Sequence, residues 1–178
     1  MQPRIPRQSV SEPGGHRADH DVRLGEELAA VVSGARRRAV RDGDRQIDTA
    51  HLLHSLLEHD PEVRGVFEGG PQLARLLAYL VQRSIGYGLR WQGSVEDSGA
   101  VPVVTETDAD GLSPLAAGAM EYAHERAAGR GAARANGIDL LAAVVTDPDA
   151  RAVEVLTRAG IDTEALRTGL EGRVRDSY

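Results

Sequence analysis

The chain has 178 residues, of which 41% are apolar, 27% charged and only 3% aromatic, and its net charge is −6. That suits one ordinary globular domain whose core is built from aliphatic side chains and alanine, and it is not the profile of a disordered chain. Cysteine is absent and all 21 basic residues are Arg, which excludes disulfides, thiolate chemistry, a P-loop or Schiff-base lysine and a serine–lysine dyad, while the acidic balance argues against a general nucleic-acid surface.

No stretch approaches ~18 consecutive apolar residues and the first residues carry no apolar core, so neither a membrane span nor a secretory leader is expected. Residues 1–20 hold three prolines and a Gly-Gly pair without periodicity and read as a disordered tail. From Leu24 a helical stripe runs through Leu28, Val31, Val32, Ala35 and Ala39. Arg36, Arg37, Arg38 and Arg41 cluster towards its C-terminal end as a solvated face, and Asp42-Gly43-Asp44 stops it. Asp48 or Thr49 caps a short helix with Leu52, Leu53, Leu56 and Leu57 on its buried face. Asp60-Pro61 opens another short segment with Val63, Val66 and Phe67. Gly69-Gly70-Pro71 breaks the chain, and Pro71 starts a helix striped with Leu73, Leu76, Leu77, Leu80 and Val81.

Residues 86–111 change character. They are rich in Gly, Ser, Asp and β-branched residues, hold a β-like stretch at Val101–Val104, and read as a long connector of the kind that is functional or mobile. Helices resume at Ser113-Pro114, an N-cap followed by proline, with Leu115, Ala119, Met120, Ala123 and Ala127 on one face. After Gly129-Arg130-Gly131, Asn136 or Gly137 starts a short apolar helix through Ile138, Leu140, Leu141, Val144 and Val145. Asp147-Pro148 punctuates, and Val153, Val155 and Leu156 follow. Past Gly160, Asp162 or Thr163 caps a last helix with Ala165, Leu166, Leu170 and Val174.

The two halves repeat. An offset of 88 residues places Leu24 on Leu112, Ala35 on Ala123, Ala39 on Ala127, Gly43 on Gly131, Asp48 on Asn136 and Leu52-Leu53 on Leu140-Leu141. The matches fall at stripe and breaker positions, so a tandem repeat of a four-helix unit is the simplest reading. One unit alone buries little surface, and the two are expected to pack as one pseudo-symmetric domain. The expected fold is therefore all-α, an eight-helix, bundle-like domain. Repeat one covers 22–85, the connector 86–111 and repeat two 112–176, within a domain spanning 21–176.

The segment Ile47-Asp48-Thr49-Ala50-His51-Leu52-Leu53-His54-Ser55-Leu56-Leu57 is similar to the I-G-T-E-H-L-L-L-G-L-L signature of the Clp ATPase N-terminal domain. Residues 136–143 resemble the looser second-repeat form of that signature, and Leu112-Ser113-Pro114 resembles the aromatic-Thr/Ser-Pro start of the second repeat. Residues 153–162 resemble its V-L-x-x-L-G-[IV]-D. The resemblance covers about residues 22–175. It implies a two-repeat domain that recruits substrates and adaptors to a ring-shaped unfoldase. The chain carries no phosphate-binding Gly-Lys-Ser/Thr, so as a whole protein it is expected to be a free-standing recruitment domain without an ATPase module.

Some members of that family bind phosphorylated arginine through the Glu of each T-E-H motif and a Thr/Arg environment at each repeat's start. This sequence departs there. Ala50 and Ile138 stand at the Glu positions, Gly25 at the first Thr position and Leu115 where Arg is frequent, while Ser113 keeps a hydroxyl. Without its carboxylate a guanidinium loses a charge-assisted, often bidentate hydrogen bond, and weak or no phosphoarginine recognition is expected.

No catalytic set emerges. Ser94 and Ser98 lie outside any G-x-S-x-G, and Glu106, Asp108 and Asp110 lack EF-hand spacing. His51 and His54 form H-x-x-H without the Glu of H-E-x-x-H, and no third ligand is fixed by spacing; they read as helix-start and rim histidines, and no metal or cofactor is expected. Tyr87 and Trp91 are interface chemistry in a chain poor in aromatics, although Trp91 could equally cap the groove between the repeats. With Thr49, His51, Leu112 and Ser113, placed by the resemblance, they form the candidate protein-binding set.

The expected function is non-catalytic protein interaction: an adaptor, decoy or substrate-binding accessory in Clp-dependent proteolysis. Its partners would be Clp ATPase or protease subunits, adaptors or unfolded segments, without nucleic acid or membrane. The alternative is a protein that sequesters a small peptide antibiotic. The Arg-, Ala- and Gly-rich composition suggests a GC-rich bacterial genome, and a cytoplasmic location is expected.

Overall fold

The computed structural model describes residues 24–67, 71–84, 94–97 and 111–175. The expectations for the tail, for Gly69-Gly70, for Tyr87, Trp91, Ser98 and Val101–Val104, and for Glu106, Asp108 and Asp110 lie outside the described residues. Among those described the architecture is all-α: α1 (Glu26–Asp42), α2 (Thr49–His59), α3 (Pro61–Phe67), α4 (Gln72–Ser84), α5 (Pro114–Gly129), α6 (Gly137–Val144), α7 (Arg151–Arg158) and α8 (Thr163–Arg175). No described helix is long and apolar enough to cross a membrane.

The repeat seen in the sequence is a repeat of local chemistry. α1 and α5 are the long outer helices. α1 is closed by Gly43 at φ 72°, and Gly131 takes φ 71° at the matching place after α5. A left-handed residue there satisfies the last helical carbonyls, and only glycine adopts it without strain. α2 and α6 each begin with a capping box. Asp48 accepts from the His51 N–H at 2.9 Å, and Asn136 accepts from the Asp139 N–H at 2.9 Å. In return the His51 ring and the Asp139 carboxylate accept from the cap residue's own N–H.

α2 and α6 are the central helices and are buried almost all round, from Thr49 to Leu57 and from Gly137 to Val144. α2 packs on α1, α5, α6 and α7, and α6 packs on α5, α3 and α8. Close approach of α1 to α2 depends on Gly34, where a Cβ would collide with Ser55 Oγ and lie 2.9 Å from His59 Cε1. The Ser55 hydroxyl uses that space to donate to the Val31 carbonyl at 2.5 Å.

The repeats are also clamped by two parallel β-bridges, Leu24 with Ala135 and Ile47 with Leu112. Leu24 and Leu112, equivalent under the offset, each pair with the residue before the N-cap of the other repeat's central helix, as a pseudo-two-fold demands. Ile47 donates to Gly111 O at 2.8 Å and accepts from the Ser113 N–H at 2.9 Å. One apolar core, contributed by both repeats, runs through the described residues.

Several stripe expectations shift. Val81 is exposed, because α4 rests mainly on α7 and has a narrow contact face; Ala165 is exposed on α8 for a similar reason, leaving Leu170 as the buried anchor. Pro71 lies one residue before α4 and contributes its carbonyl, which accepts from the Arg75 N–H at 3.1 Å. His51 and His54, expected at the rim, are both buried, because α2 is wrapped by its neighbours on every side.

Candidate functional site

Residues 94–97 are, with Gly111, the described part of the connector, and they lie across the junction of the two repeats. Their central side chain, Glu96, is buried. Its carboxylate accepts from the Thr49 N–H at 2.8 Å, from the Thr49 hydroxyl, from the Ser113 hydroxyl at 2.8 Å and from the Arg151 N–H at 2.7 Å. Thr49 is the first residue of α2, Ser113 the N-cap of α5 and Arg151 the first residue of α7. Three helix N-termini, each with unsatisfied N–H groups and a positive dipole end, therefore converge on one buried carboxylate.

The donors are themselves fixed. Thr49 Oγ1 accepts from the Ala152 N–H at 3.0 Å, and Ser113 Oγ accepts from the Ala116 N–H at 3.0 Å. Both hydroxyl protons point towards Glu96, because an ionised carboxylate can only accept. Beside this carboxylate, the Arg151 guanidinium, also buried, pairs with Asp48 at 2.9 Å and donates to the carbonyl and hydroxyl of Ser94 at 3.1 and 2.8 Å. Gln46 Nε2 adds a bond to the Ser94 carbonyl at 3.2 Å, and the Leu115 N–H reaches the Glu96 carbonyl at 3.4 Å. The segment is thus held by both repeats and by α7, and removing it would expose a polar notch with an anion's worth of donors.

A second polar cluster closes the far end of α1 onto α2. His51 Nδ1 lies 3.0 Å from Asp48 Oδ1, and Nε2 lies 3.0 Å from Asp44 Oδ2 and 3.5 Å from Asp42 Oδ2. Burial disfavours the charged ring, but the carboxylates of Asp42, Asp44 and Asp48 outweigh it and push the imidazole up to about 10. At the equivalent place in the second repeat the polarity is reversed. Asp139 replaces His51, and the Arg130 guanidinium grips it with two bonds, Nη2 to Oδ2 at 2.7 Å, while Arg126 Nε lies 3.7 Å from Oδ1.

Of the residues singled out in the sequence, Thr49 and Ser113 meet on Glu96, and Leu112 is buried in the Ile47 bridge beside them. His51 does not bond to that carboxylate and is joined to the site through Asp48 and Arg151. Ala50 and Ile138, at the positions that the sequence resemblance aligns with Glu, are buried apolar residues. The sequence did not point to Glu96 or Arg151. Glu96 sits in a polar connector where one more carboxylate carries no signal, and two of its four donors are backbone groups with no residue type to recognise.

No family model matches the chain, and no curated protein does. Among solved structures, the chain is similar to the N-terminal domain of the caseinolytic-protease-associated chaperone ClpD from Arabidopsis thaliana, with 19% identity, a TM-score of 0.61, and 86% of this chain and 95% of that chain covered. It is also similar to a structure from an investigation of a malarial protein secretion system, with 13% identity, a TM-score of 0.58, and 85% and 95% of the two chains covered. The chain therefore has a Clp N-domain-like fold, a helical two-repeat domain.

Proposed function

We propose that this chain is a non-catalytic protein-interaction domain of Clp-dependent proteolysis, acting as adaptor, decoy or substrate-binding accessory. The observation that carries the reading is the likeness over nearly its whole described length to the N-terminal domain of a chaperone associated with a caseinolytic protease. The junction between the repeats, together with residues 94–97 that lie across it, is the surface proposed for partners. Thr49 and Ser113 are buried and bonded to Glu96, and Leu112 is buried in the bridge with Ile47, so a partner would meet residues 94–97 before any of them. Tyr87 and Trp91 are the connector's proposed aromatic contacts.

The test is direct binding of the purified chain to purified Clp ATPase and protease subunits of the source organism and to an unfolded model substrate. Degradation of that substrate is then followed with and without the chain. Saturable binding with a changed degradation rate is expected. No binding to either class at the highest soluble concentration, with an unchanged rate, would remove the proposal.

A further inference from the structure

We propose that Asp42, Asp44 and His51 form a site for a divalent cation of the zinc class, tying the end of α1 to the start of α2. Three ligand atoms, His51 Nε2 and one oxygen from each carboxylate, lie within 4.8 Å of one another. The separations from Nε2, 3.0 Å to Asp44 Oδ2 and 3.5 Å to Asp42 Oδ2, bracket the spacing that tetrahedral coordination requires. Metal–ligand bonds of about 2.0–2.2 Å place neighbouring ligand atoms roughly 3.3–3.5 Å apart.

The ring itself points to a cation at a shared centre. His51 is 1% exposed, yet its Nε2 has no hydrogen-bond partner of acceptable geometry. Two carboxylate oxygens are near enough, so direction is what fails. A bound ion takes the Nε2 lone pair in place of a proton, so Nδ1 then carries the ring's one remaining proton and donates it to Asp48 Oδ1, 3.0 Å away; Asp48 is in turn held by Arg151. The ring's orientation is thereby set from outside the ligand group, as in well-built metal sites.

The second repeat supplies an internal comparison. Where repeat one has His51 facing Asp42, repeat two has Asp139 facing Arg130, and the guanidinium fills the space between the long helix and the central one. Repeat two carries its cation covalently. Repeat one presents an imidazole and two carboxylates at that place, with the Asp48 carboxylate behind the ring, a donor set in which an ion from solution takes the place of the proton on Nε2, as a guanidinium cannot allow. Imidazole with carboxylate oxygens suits zinc and neighbouring transition ions better than calcium. Asp44 is 24% exposed, which gives an ion a path in and leaves a fourth position for water.

Titration calorimetry of the full chain with ZnCl2 alone tests this. One ion per chain, a raised Tm, and a shifted His51 ring-nitrogen NMR signal are expected. Asp44→Asn, at a partly exposed position where folding survives, is expected to lower the affinity at least tenfold, and Glu58→Gln, on exposed α2 surface, to leave it unchanged. Absence of stoichiometric binding below millimolar zinc would overturn the proposal. So would binding that Asp44→Asn and Asp42→Asn leave intact, since the ion would then reside elsewhere.

Discussion

Glu96 concentrates the chemistry of the repeat junction in one side chain. A buried carboxylate is tolerated only when its lone pairs are used, and here four donors from three helix starts use them. Glu96→Gln keeps the shape but turns one acceptor into a donor that faces other donors. The loss expected is about 2 kcal/mol, since hydrogen bonds to charged groups contribute roughly 1.5–3 kcal/mol and an orphaned donor adds its own penalty. Urea unfolding measures it, and a change below about 0.5 kcal/mol would mean that water replaces the carboxylate at no loss. Ligand recognition at this scale also follows from residue type. With Ala50 and Ile138 buried where a guanidinium would need a carboxylate, calorimetry with a phosphoarginine peptide is expected to show no binding, and micromolar affinity would refute it. Those two absences were legible in the sequence. Glu96 was not, because its meaning depends on donors 47 and 55 residues away in the chain, at Thr49 and Arg151.

At the scale of elements, starts and stops of helices were the most legible features. Asp48, Ser113, Asn136, Gly43 and Gly131 act through partners within a few residues, so their spacing alone announces them. Packing between elements was less legible, and two glycines separate the effects. Gly118 lies mid-helix on exposed α5, and a Cβ added there would meet nothing within 4 Å, so Gly118→Ala is expected to stabilise by about 0.5–1 kcal/mol through the unfolded chain's entropy and helix propensity. Gly137 begins α6 against the loop before α3. A Cβ there would overlap Asp60 Oδ2, with Asp60 Cγ at 2.8 Å and Val63 Cγ2 at 3.2 Å. Asp60 cannot swing away cheaply, because its other oxygen caps α3 through the Glu62 and Val63 N–H groups at 2.9 and 3.1 Å. Gly137→Ala is therefore expected to destabilise by about 1–3 kcal/mol. Thermal melts of the two variants should move in opposite directions; a Gly137→Ala protein as stable as the parent would show that α3 and α6 are not in this register.

The whole molecule behaves as one unit because the repeats cross over each other. Periodicity and the 88-residue offset revealed two equivalent halves, but not that Leu24 and Leu112 would each bridge to the other half, since a bridge between Leu24 and Ala135 leaves no trace in local pattern. The crossing also decides how the protein unfolds. Leu53 and Leu141 are equivalent under the offset and both fully buried, one in each central helix, and they belong to one continuous core. If each repeat were an independent bundle, Leu53→Ala would loosen only the first and Leu141→Ala only the second, and each variant would unfold in two steps. With α2 packed on α6, α5 and α7, neither repeat keeps its core once the other opens. Each substitution is expected to lower the stability of the entire domain by about 2–5 kcal/mol, with a single cooperative transition preserved. Urea unfolding followed by far-ultraviolet circular dichroism, with amide hydrogen exchange in α2 and α6, makes the distinction. In each variant the protection of both central helices should fall together, including the helix that was not altered.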